Sequence, residues 1–163
     1  MENAEIINEL ERNASVIKEL LSGLSSESYR WKPSAEKWNL LDVVSHFVDE
    51  EVEDFRARVG SILNDPSKPL QPFNPEAWVM ERKYSENNFE SKIAEFVAER
   101  AKSVAWLRGL NNPKWDNAFQ HPKVGPVTAQ LILENWLAHD ILHIRQILGL
   151  KYGYLKVNAK SPL

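Results

Sequence analysis

There is no cysteine anywhere in the 163 residues. That excludes disulfides, thiolate metal ligands and a cysteine nucleophile together, so any sulfur chemistry must arrive with a bound molecule. No apolar run approaches the roughly 18 residues of a membrane span. The start, Met1-Glu-Asn-Ala-Glu5, has neither the basic opening nor the apolar stretch of a secretory signal. Basic blocks are missing too, and a formal net charge of −3 gives no electrostatic footprint for nucleic acid. Alternating β-branched runs bounded by turns, the mark of strands, do not occur at useful length. These absences leave a cytoplasmic, globular, helical protein, long enough for one domain with a sizeable core.

What the sequence does have is helical spacing. Ile7, Leu10, Ala14, Ile17, Leu21 and Leu24 form one stripe over Ala4 to Leu21, with Gly23 as a stop. Ser25 to Trp38 reads as a loop. Asn39 with Asp42 three residues on forms a capping pair for a second helix over Leu40 to Leu63. Asn64 to Tyr84 holds Pro66, Pro69, Pro72 and Pro75, which excludes a long regular element. A connection of that length often carries or covers a site, with Phe73 and Trp78 as its anchors here. A third helix starts near Ser85 or Asn88, carries Phe89, Ile93, Phe96, Val97, Ala101, Val104 and Leu107 on one stripe, and stops at Asn111-Asn112-Pro113. Trp115 to Val127 reads as a loop, and Thr128 caps a fourth helix that ends at Gly149. The expected architecture is all-α, a four-helix bundle.

Chemistry concentrates in Trp136-Leu-Ala-His139-Asp-Ile-Leu-His143-Ile-Arg-Gln146. His139 and His143 lie one turn apart on the line of Ile132, Trp136, Ile147 and Leu150, the buried face of the helix. Buried imidazoles need partners for their nitrogens. Either the pair turns toward one metal ion, or each ring bonds a neighbouring carbonyl. His46 falls off the apolar stripe of its helix, beside Asp42, Asp49, Glu50 and Glu53. Its wheel position fits an exposed histidine on an acidic face or one facing a polar cleft, the exposed option being the safer. Glu50 and Glu53 read as solvated, and His121, beside Pro122, as exposed; Arg145 points outward. Six tryptophans suit aromatic pocket walls, with core packing as the use of most. No serine sits in a nucleophile-elbow sequence.

Taken in order, Trp31-Lys-Pro33, Lys37-Trp38, Val43-Val-Ser-His46-Phe-Val-Asp49, His121-Pro-Lys-Val-Gly125-Pro-Val-Thr128 and His139-Asp140-Ile-Leu-His143-Ile-Arg-Gln146-Ile resemble the DinB/YfiT-like superfamily of small helical metalloproteins. The resemblance implies a divalent metal held by His46, His139 and His143, and it gives His46 a reason to leave the apolar stripe. Zinc, nickel or iron would each suit nitrogen ligands, and three histidines leave coordination positions open. Asp49, Asp140 and Gln146 are candidate acceptors behind the ligands, the alternative for the two acids being an acidic surface or a contact within the helix. Trp38 and Trp136 are candidate pocket walls. The family's characterised branches imply a thiol-dependent S-transferase working with a low-molecular-weight thiol on a small-molecule substrate, a homodimer being common. A metal-dependent hydrolase and a non-catalytic binding bundle with a stress-related role are the alternatives.

Overall fold

The computed structural model describes residues 1–72 and 74–161, so Phe73 lies outside the described residues. Its elements in chain order are α1 (Asn3–Leu21), α2 (Ser26–Arg30), α3 (Leu40–Asp49), α4 (Ala57–Asn64), α5 (Pro75–Glu81), α6 (Phe89–Gly109), β1 (Ala118–His121), β2 (Gly125–Thr128) and α7 (Ala129–Asn158). A π-helical segment, Glu50–Arg56, joins α3 to α4 in one continuous rod. That rod and helices α1, α6 and α7 make a four-helix bundle: α1 packs on α6 and α7, α3 on α6, and α4 on α7. No described helix is long and apolar enough to cross a membrane.

The helix starts follow from local chemistry. Asn39 Oδ1 accepts from Asp42 N at 2.8 Å while Asp42 Oδ2 accepts from Asn39 N at 3.0 Å, a reciprocal cap at the head of α3. Asn88 and Thr128 cap α6 and α7 in the same way, accepting from Ser91 N and Leu131 N. The expected loops hold short elements as well. Ser25 caps α2, and Pro75 opens α5 at the position where a missing N–H is harmless.

Two expectations are corrected. The segment before the last helix is a β-hairpin, with Ala118 opposite Thr128 and His121 opposite Gly125. It is too short to announce itself by periodicity, and it holds because Asn117 O and Trp115 O accept from Ala129 N and Gln130 N. Asn117 Nδ2 also donates to Ile62 O and Leu63 O at the end of α4. The last helix does not stop at Gly149. A helical glycine costs about 1 kcal/mol relative to alanine, and contacts further on outweigh this: Lys151 bonds Leu20 O, and Trp31 packs over Gly153 and edge-on to Tyr154.

The core has two apolar halves. One gathers around Phe47, Phe96, Leu41 and Ile147, the other around Trp136, Phe55, Val59 and Leu133. Between them runs a buried polar layer centred on Arg100, which is 1% exposed. Its Nε donates to both Glu51 oxygens at 2.9 Å, its Nη1 to Leu10 O at 2.9 Å and Asp140 Oδ2 at 2.7 Å, and its Nη2 to Asp140 Oδ1 at 2.8 Å. Asn13 Nδ2 adds a bond to Asp140, and Trp136 Nε1 one to Glu51. Every long helix of the bundle supplies a member. Burial pushes the Glu51 carboxyl up, and the Arg100 charge opposes this.

Candidate metal centre

His46 on α3 and His139 and His143 on α7 meet beside that polar layer. Their Nε2 atoms converge: His46 to His139 is 3.0 Å, and His143 to His139 is 3.0 Å. Two nitrogens each about 2.0–2.1 Å from one ion stand roughly 3.0–3.4 Å apart, so the rings are already at the spacing of shared ligation. His46 and His143 are buried and His139 is half-buried. Burial, then the repulsion of neighbouring rings, pulls His46 down to about 3 and His139 down to about 2, and burial lowers His143 as well. At neutral pH all three are neutral, the form that binds metal.

Hydrogen-bond arithmetic argues against three ordinary core histidines. His143 Nδ1 donates to Gln146 Oε1 at 2.6 Å, which leaves its Nε2 as a bare lone pair. His46 Nδ1 faces Glu50 Oε1 at 3.7 Å. With that edge protonated, its Nε2 is bare too. His139 can place one proton between two lone pairs and no more. A shared cation satisfies all three nitrogens at once, so the residues present fit a divalent ion.

An aromatic shell encloses the cluster. Phe47 and Phe55 stand edge-on to His139, and Trp38 is edge-on to His46 and nearly parallel to His143. Trp38 also lines a groove of 420 Å³ with Lys32, Lys37, Glu76, Val79 and Met80. One residue therefore divides the histidines from the adjoining groove. The far wall of that groove is α5, tied down through Arg82, which pairs with Asp49 and Glu53 and stacks on Trp78.

Several site expectations change. His46 is not on an exposed acidic face: it is 3% exposed, because the 42–58 face of its rod packs inward. Glu50 is likewise buried, at 3%, whereas Glu53 is exposed. Burial and the neighbouring Asp54 charge push the Glu50 carboxyl up to about 8. Asp49 meets no histidine; it accepts from Tyr84 Oη at 2.6 Å. Asp140 is committed to Arg100 and Asn13. Trp136 is core, fully buried and stacked on Phe55, with its N–H held by Glu51. His121 is half-buried in the hairpin, where its Nδ1 accepts from Lys123 N, apart from the cluster. Glu50, Glu51 and Arg100 were not expected at the site. His46, Glu50, Asp54 and Arg58 follow at strict four-residue spacing, a signal present in the sequence but readable as a solvated face.

A four-helix bundle with three convergent histidines on its second and last long helices defines a class of helical proteins with a histidine cluster able to hold a metal. Within that class the chain belongs to the DinB superfamily, whose sequence profile matches residues 9–147. Its fold is also that of YfiT from Bacillus subtilis, described as a probable metal-dependent hydrolase with an unusual four-helix bundle topology. The two share 19% identity over 94% of this chain and 87% of YfiT, at a TM-score of 0.83. No curated protein matches the chain.

Proposed function

We propose that this protein is a metal-dependent enzyme whose centre is His46, His139 and His143, and that it transfers a low-molecular-weight thiol to a small electrophile. The observation that carries the metal part is the meeting of three neutral imidazoles through nitrogens that cannot all satisfy one another. When bound there, a divalent ion supplies Lewis acidity and favours the anionic form of a thiol or water. The chain's own part is to hold the three rings rigid, to keep them neutral by burial and to exclude bulk water behind Trp38, Phe47 and Phe55. The groove beyond Trp38, lined by both charged and apolar side chains, gives a small electrophile a place to lie. The absence of cysteine fits a reaction whose sulfur comes from the substrate. Hydrolysis is the second reading, favoured by the likeness to YfiT.

Metal content of tag-free protein, measured by elemental analysis beside a His143→Ala variant, is the test of the centre. Near-stoichiometric metal in the parent and its loss in the variant are expected. No uptake from zinc, nickel or iron salts would remove the enzyme reading. With metal established, loss of free thiol against a panel of electrophiles supports transfer. Turnover of esters or amides without thiol would replace it by hydrolysis.

A further inference from the structure

Two buried side-chain atoms have no hydrogen-bond partner among the described residues, His46 Nδ1 and Glu50 Oε1. They face each other across 3.7 Å. A buried carboxyl facing a buried ring nitrogen is costly to both unless they close a hydrogen bond. The surroundings explain why Glu50 is held there. It lies beside the Asp54 carboxyl, and Asp54 is ion-paired with Arg58. His46, Glu50, Asp54 and Arg58 thus form a ladder along one edge of the rod, running through the π-helical segment. Such segments recur at functional positions, where helix geometry has been bent to place a side chain.

The geometry points to Glu50 as the positioning residue of the centre: it holds His46 as the Nδ1–H form with Nε2 turned inward, backed by Asp54 and Arg58. This rests on the metal reading above for its consequence, though not for its geometry. The three ligands are then oriented from two sides, Gln146 behind His143 and Glu50 behind His46. Partners of this kind commonly change metal affinity by about 10–100-fold when removed. Asp49, next in sequence, has no such part, because its carboxylate is engaged by Tyr84 and Arg82.

The experiment uses the full chain as parent, Glu50→Gln, Glu50→Leu and Asp49→Asn, with zinc affinity measured by chelator competition. Glu50→Leu should bind zinc about 10–100-fold more weakly, Glu50→Gln, which keeps an acceptor, should recover most of the loss, and Asp49→Asn should bind as the parent does. Metal-free Glu50→Leu should be no less stable than the parent, since it removes a poorly paired buried carboxyl. Weaker binding without lost stability is a pair of results that a merely structural role does not give. Equal zinc affinity in Glu50→Leu and parent would overturn the inference, as would a loss shared equally by Asp49→Asn. Imidazole ¹⁵N shifts of the metal-free proteins give the second readout: His46 should be the Nδ1–H form in the parent and shift toward Nε2–H in Glu50→Leu. An unchanged His46 tautomer would refute the role of Glu50 even if the parent took up no metal, an outcome that would separately remove the metal reading.

Discussion

Replacing Arg100 by methionine tests the buried polar layer most directly. The guanidinium makes contacts to Glu51, Asp140 and Leu10 O within a layer where Arg100, Glu51 and Asp140 are each at most 1% exposed. Methionine fills much of the volume but leaves two carboxyls buried without their counter-charge. Breaking a buried ion pair from one side costs about 3–5 kcal/mol, far more than the pair itself contributes. For a chain of this length that corresponds to a fall in Tm of roughly 9–15 °C. The sign of the pH effect follows from the same groups. Without Arg100 the buried Glu51 carboxyl, already pushed up by burial, holds a proton in the folded state that the unfolded chain releases above about pH 4. The deficit relative to the parent should therefore shrink as pH falls from 7 to 5.5. Urea denaturation of both metal-free proteins at the two pH values measures it, with the m-value checked for constancy. A deficit below about 1 kcal/mol at pH 7, or one equal at both pH values, would refute this account of the layer.

In the metal-free parent the buried histidines should cost stability as pH drops below about 6.5, where an unfolded histidine takes up a proton that His46 (about 3) and His139 (about 2) refuse. Each such histidine contributes up to about 1.4 kcal/mol per pH unit. Glu50, raised to about 8, and Glu51 and Asp54, also raised by burial, act in the opposite sense, so the histidine contribution is read from the difference between parent and a histidine variant. Between pH 6.5 and 5 the urea midpoint of a His46→Ala/His139→Ala variant should gain on that of the parent; an equal pH dependence of the two midpoints would contradict the assignment. Trp136→Phe removes the N–H that donates to Glu51 at 3.1 Å and should cost about 1–3 kcal/mol in the same assay. A change below about 0.5 kcal/mol would show that Glu51 does not depend on it.

The bundle was legible because its helices declare themselves at their ends. Asn39 with Asp42, and Thr128, each cap the helix they were expected to cap, and Asn88, one of two expected starts, caps the third. His139 and His143 were legible because they interrupt an apolar stripe that nothing else interrupts. Arg100 was not, although it sits one turn from both Phe96 and Val104 on the same stripe. A charged residue there is ordinarily passed over as a surface position, and only the carboxyls of two other helices give it a reason to be inside. His46 and Glu50 failed for a related cause. A wheel reports which residues share a face, not whether a polar face meets water or another helix. The hairpin and the last turns of α7 depend on contacts with distant segments, Asn117 with α4 and Trp31 with Gly153, which no local pattern contains.

The hairpin has a mechanical consequence. Through Asn117 it clips the end of α4 to the start of α7, so the two rods that carry the histidines are pinned together at one end. His46 hangs near the opposite end of its rod, many turns from the pin. The clip and the ring cluster thus tie the same two rods together at two separate points along their length. Residues that never approach the histidines therefore share in holding the rods that carry them.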